Sequence, residues 1–105
     1  MTDRDLKIAE ELKSRLSRIV QLLDFRVFGS RARGEADEYS DLDVFIEVES
    51  LTPEIEALVL DAAWEVGFEN EIVISTLTFT RDELENSPLR ASPIVQCITE
   101  EGVKV

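Results

Sequence analysis

The chain opens with Leu6, Ala9, Leu12, Leu16, Ile19 and Leu23 recurring every three or four residues, with lysines and glutamates between them. That period predicts an amphipathic helix from about Asp3 to Leu22, with an apolar stripe suited to packing on a sheet. Thr2 is placed to cap it, and Asp3 and Asp5 complement the helix dipole in its first turn. The pattern then changes. Phe25-Arg26-Val27-Phe28 is β-prone and stops at Gly29, Ser30 to Gly34 reads as one helical turn, and Glu35 to Ser40 is a polar, acidic loop. From Asp41 to Val48 the residues alternate. Leu42, Val44, Ile46 and Val48 face one way, and Asp41, Asp43, Phe45 and Glu47 face the other. The first set predicts a core face. The second, acidic at its start, predicts a sheet face that is partly open there.

Thr52-Pro53 is a strong helix start, Ile55, Leu58, Val59, Ala62 and Val66 supply the buried stripe, and Gly67 is placed to end the helix. Glu71 to Phe79, rich in β-branched residues, predicts a third strand. Thr80-Arg81-Asp82-Glu83 is a capping box opening a short helix that Ser87-Pro88 ends. Ser92-Pro93 begins a last helix closed by Gly102, with Val103 to Val105 as a short final strand. No repeat or linker interrupts this order, so residues 1–105 are expected to form one α/β domain with a small sheet.

Composition narrows the chemistry. Hydrophobic residues make up 44% of the chain, enough to fold, yet no apolar run approaches the roughly 20 residues of a membrane span. The polar start Met1-Thr-Asp-Arg-Asp5 does not resemble a signal peptide. The single cysteine, Cys97, leaves no intramolecular disulfide and suits a reducing, cytoplasmic location. With no histidine, Ser-His-Asp and Cys-His catalysis are excluded, and so in practice is a structural zinc site. Carboxylate and hydroxyl chemistry remains, which favours hard ions such as Mg2+ or Mn2+. A net charge of −12 repels a phosphate backbone, so non-specific nucleic-acid binding is not expected. The same field attracts divalent cations and basic partner surfaces, or it simply keeps an acidic protein soluble.

Asp41 and Asp43 lie two apart on a strand, so both point to one face with Cα atoms about 6–7 Å apart. Two aspartates so close repel unless a cation lies between them, and a pair of metals roughly 4 Å apart grips both oxygens of an in-line phosphoryl displacement. The alternative is a solvated strand end. Gly29-Ser30 bears on the choice, because a strand-end glycine admits a ligand to the backbone and the N–H groups opening the next turn suit an anion. Arg31 and Arg33 are either phosphate contacts or surface charges, and Gly34 serves the turn.

Phe28-Gly-Ser-Arg-Ala-Arg-Gly34 followed by Ser40-Asp-Leu-Asp-Val44 resembles the minimal nucleotidyltransferases of the DNA polymerase beta superfamily. Their signature is Gly-Ser, a spacer of about ten residues and Asp-x-Asp; here ten residues separate Ser30 from Asp41. The match is tight over Val27 to Glu47 and looser elsewhere. The resemblance implies a mixed β-sheet flanked by helices, Asp41 and Asp43 as metal ligands, and Gly29 and Ser30 as contacts to a nucleoside triphosphate. It further implies a two-metal Mg2+ (or Mn2+) site and transfer of a nucleoside monophosphate with release of pyrophosphate. Members of the family use a third carboxylate on a neighbouring strand. Glu71 is the positional match, as a glutamate in place of the family's aspartate, with a strand-end surface charge as its other reading.

Two readings of function follow from the resemblance. One is an enzyme that moves a nucleoside monophosphate, AMP from ATP, to a hydroxyl on a partner, since small members resemble the antitoxin of a pair whose toxin is a helical HEPN-type ribonuclease. The other is a binding module that neutralises such a partner by contact. A plain acidic domain with an accidental motif is the third possibility, and the mutual agreement of the local features counts against it.

Overall fold

The computed structural model describes all residues, Met1–Val105. Its helices are α1 (Asp3–Ser17), α2 (Gly29–Arg33), α3 (Pro53–Glu69), α4 (Arg81–Asn86) and α5 (Pro93–Glu101), with a 3-10 turn at Pro88–Ala91. Its strands are β1 (Leu22–Phe28), β2 (Leu42–Val48), β3 (Ile74–Thr80) and β4 (Val103–Lys104). They form a four-stranded sheet in the order β3-β2-β1-β4. β1 is antiparallel to both β2 and β4, while β3 is parallel to β2. The chain is thus a mixed sheet flanked by helices, as the resemblance to the minimal nucleotidyltransferases implies.

β2 is the hinge of the architecture because its alternation serves two environments. Leu42, Val44, Ile46 and Val48 are fully buried in one cluster with Phe25 and Val27 of β1, Ile8, Leu12 and Leu16 of α1, and Val59 and Val66 of α3. Arg15 of α1 ties the two covering helices together by reaching Glu65 and Glu69 of α3 at 3.5 and 2.9 Å. On the opposite face α5 lies against β1, where Arg26 donates to the Thr99 carbonyl at 3.2 Å. Phe45, Val95 and Ile98 are buried outside the main cluster. The face expected to be partly open is therefore covered over part of its area, and only the Asp41 end carries an acidic opening.

Three boundaries differ from the periodicity. α1 stops at Ser17 rather than Leu22, because Ile19 and Val20 both donate to the Leu16 carbonyl at 2.9 Å, turning the chain. Leu22 then pairs with Val48, and sheet hydrogen bonding overrides the helical spacing of Leu23. Gly67 does not end α3, which continues to Glu69. A Cβ at Gly67 would strike the Ile72 carbonyl, so this glycine admits the returning chain, and Ile72 N–H donates to Gly67 O at 2.9 Å. β3 accordingly begins at Ile74 and not at Glu71, which sits in the intervening turn with φ 55°. No helix is long and apolar enough to cross a membrane.

Candidate active site

β1 delivers the chain to Gly29 beside the start of β2, with Phe28 paired to Asp43. Gly29 adopts φ +75°, and a Cβ there would collide with the Asp43 carboxylate. Glycine is needed for two separate reasons, a left-handed backbone and direct contact with an acid. The corner and Asp43 are thus one packed unit. Gly34 closes α2 in the left-handed region at φ 74°, the turn role expected of it.

Asp43 is half-buried and Asp41, just ahead of β2, is exposed. Burial pushes the Asp43 carboxyl above its ordinary range, the negative charge of Asp41 pushes it further, and Arg33 offsets part of this. A divalent cation relieves both penalties. The donor set suits Mg2+, which keeps several waters and is bound through one or two carboxylates plus substrate phosphates. Glu71 is not brought in: it is exposed in the turn before β3, and no three acidic or other ligating residues group closely enough to hold a metal. β3 itself, Ile-Ser-Thr-Leu-Thr-Phe-Thr, has no acidic residue, and Ser75 is the position paired with Asp43. The expected third carboxylate is displaced because the chain needs Asn70 to Val73 to turn from α3 into the sheet.

The two arginines of α2 part company. Arg31, which the sequence leaves open as a phosphate contact or a surface charge, is turned inward and buried, in an ion pair with the equally buried Asp5 at 2.9 Å. Its Nε donates to Ser40 O at 2.9 Å, and Nη2 reaches the carbonyls of Asp37 and Glu38 at 3.4 and 3.5 Å. Arg31 therefore positions the loop that leads into Asp41 instead of facing a ligand. Asp5 accepts also from Thr2 N–H at 3.2 Å, so both of its oxygens are used. Arg33 stays at the surface near Asp43, held by Glu35 at 3.0 Å and Glu101 at 3.9 Å. It is the arginine free to exchange an acidic partner for a phosphate. Ser30, partly exposed, opens α2 next to Gly29.

α5 contributes residues that sequence reasoning did not assign to this corner. Glu101 bonds Arg33 and also accepts from the exposed Cys97 thiol at 3.5 Å. That contact comes first among the causes raising the Cys97 pKa; burial adds to it, and Arg33 opposes it. No local motif marks these residues, since only the packing of α5 on the sheet brings them to α2.

A glycine corner seated against Asp43, with Asp41 just ahead of the same strand in a small mixed sheet, is chemically suited to an anion beside a divalent cation. The family model for the nucleotidyltransferase domain matches residues 7–105, and the chain belongs to that family. A crystal structure of a toxin–antitoxin with AMP-PNP shares the fold at a TM-score of 0.63 and 18% identity, over 95% of this chain and 70% of that one. A structure described as a minimal nucleotidyltransferase gives 0.64 at 23% identity, covering 99% of this chain and 97% of that one. A mutant MntA-HpeT toxin–antitoxin gives 0.58 at 19% identity, over 95% and 69% of the respective chains. At these identities the likeness is one of fold. No curated protein matches the chain by sequence.

Proposed function

We propose that this chain transfers a nucleoside monophosphate, AMP from ATP, to a hydroxyl on a partner protein, and that it serves as the antitoxin of a two-protein pair with a HEPN-type toxin. The observation that carries this reading is the seating of Gly29 directly on the Asp43 carboxylate, which sets an anion-suited corner against one of the two acids suited to a cation. Gly29 and Ser30 receive the triphosphate, Arg33 neutralises phosphate charge, and Asp41 and Asp43 hold Mg2+ or Mn2+. A cation held there would supply charge neutralisation for the departing pyrophosphate. Arg31 acts from below by holding the Asp37–Ser40 loop, so that Asp41 enters β2 in place. The acceptor oxygen bonds to the α-phosphorus as the bond from that phosphorus to the pyrophosphate oxygen breaks, and the hydroxyl proton passes to water. The AMP-PNP of one structural relative and the toxin–antitoxin setting of two support the nucleotide and the partner.

A second reading, neutralisation by contact alone, is favoured by the absence of any acid on β3 and by the separation of Glu71 from the aspartate pair. One experiment separates the two. With labelled ATP, Mg2+ and the protein encoded by the adjacent gene, the enzyme reading expects label on the partner that disappears in Asp43→Ala. No label on either protein, with Asp41→Ala and Asp43→Ala silencing the partner as well as the wild type does, would leave only contact.

A further inference from the structure

Around the edge of the sheet from the aspartates lies a groove that the transfer chemistry does not use. Its walls are α3 and the chain entering β3, and its volume is about 690 Å³. Along α3, Leu60, Trp64 and Phe68 recur every fourth residue and form a straight apolar stripe roughly 12 Å long. These side chains are 53%, 68% and 72% exposed, and Val73 across the groove is 64% exposed. Trp64 and Phe68 stack with ring centroids 5.2 Å apart and planes 10° from parallel, making one flat aromatic wall. An apolar stripe of this kind open to water marks an interaction surface, and Trp in particular anchors interfaces.

Charge selects the occupant. Glu38 and Glu71 line the groove with no lysine or arginine among its walls. α3 carries Glu54, Glu56 and Asp61, besides Glu65 and Glu69, which Arg15 engages, and no basic residue, and the whole chain is at −12. A second copy would bring like charge against like charge, and a nucleic acid would be repelled in the same way. We propose that this groove docks an amphipathic helix of a partner protein, with its apolar stripe on Leu60, Trp64 and Phe68 and lysines or arginines facing the acidic rim. Two or three turns of such a helix match the length of the stripe. The groove includes Tyr39 and Ser40, immediately ahead of Asp41, and Val73 O accepts from Leu42 N–H at 2.9 Å. A helix seated here therefore bears on the loop that leads into Asp41, from the α3 side of the sheet edge. That it thereby brings an acceptor hydroxyl within reach rests on the transfer reading above; the docking itself does not.

Trp64 is the sole tryptophan, so its emission reports the groove directly. The probes are synthetic helices of about 18 residues, long enough to stay helical. One has a Leu/Phe stripe with Lys/Arg flanks, its twin has Glu flanks, and a third has the basic composition scrambled. The basic amphipathic helix is expected to blue-shift Trp64 and to bind at least about ten-fold more tightly than either control. Phe68→Ser should weaken it by a similar factor while circular dichroism stays unchanged, and Leu60→Ser provides a second test. Asp43→Ala should bind the helix normally, so failure of nucleotide transfer leaves this result standing and the reverse also holds. Equal binding of the acidic twin or the scrambled peptide overturns the proposal. So does a Trp64 shift that depends only on protein concentration, which assigns the groove to a second copy, or one produced by ATP alone, which assigns it to the nucleotide.

Discussion

The two faces of β2 are built from alternate residues of one strand and obey different rules. Leu42 is fully buried among apolar side chains supplied by α1, α3 and β1, and what matters there is volume and shape. Asp43, the next residue, meets the backbone of Gly29, the charge of Asp41 and the guanidinium of Arg33, and each neighbour is needed for its own chemistry. On the core face many contacts share the stability. On the other face a few specific contacts set the site at some cost to the fold, so substitutions one position apart should move stability in opposite directions.

The sharpest break in that contrast comes from Leu42→Ala, which should cost about 2–5 kcal/mol through lost burial and a residual cavity. Urea denaturation checks it, and a loss below about 1 kcal/mol would mean that this face repacks freely. Gly29→Ala is next. It forces alanine to φ +75° and drives a methyl group into the Asp43 carboxylate, for a strain of about 1–3 kcal/mol. Because the carboxylate can rotate away, the fold should survive, while magnesium-dependent stabilisation and nucleotide binding fall together. Retention of both, measured by thermal shift and calorimetry, would uncouple the corner from the aspartates.

The smallest effect has the opposite sign. Since the Asp43 carboxyl is held above its ordinary range, the folded chain binds that proton more tightly than the unfolded chain does. The group therefore favours folding below the unfolded pKa of about 3.9, and this contribution is lost as pH rises through the folded value. At neutral pH the ionised form is a burden. Asp43→Asn, in the presence of chelator, should melt higher than the wild type at pH 7 and converge with it below about pH 4. Added Mg2+ should reverse the order by stabilising only the wild type. A lower melting temperature for the variant at pH 7 without metal would show that Asp43 is not under electrostatic penalty.

Local grammar carried most of the element order. Thr2, Thr52 and Thr80 cap the helices they precede, and the alternation over β2 separates core from site as written. Leu23 sits at helical spacing from Ile19, yet the pairing of Leu22 with Val48, a contact distant in sequence, draws this stretch into β1. Arg31 and Arg33 look alike in the chain. Only the burial of Asp5 on α1 decides that one becomes a brace and the other stays beside the aspartates.

The sequence by itself determined the pair Asp41 and Asp43, the glycine corner at Gly29 and the kind of ion they suit. Residue type, strand period and backbone freedom are local properties. Tertiary structure decided that Gly29 rests on Asp43, that Glu71 is spent in a turn, and that Glu101 of α5 reaches Arg33. It also left Trp64 and Phe68 outside the core, although they lie on the same helix as buried Val59 and Val66. Those outcomes depend on which helix covers which face and on how many residues the chain needs to return to the sheet, and these are constraints between segments that no single segment encodes.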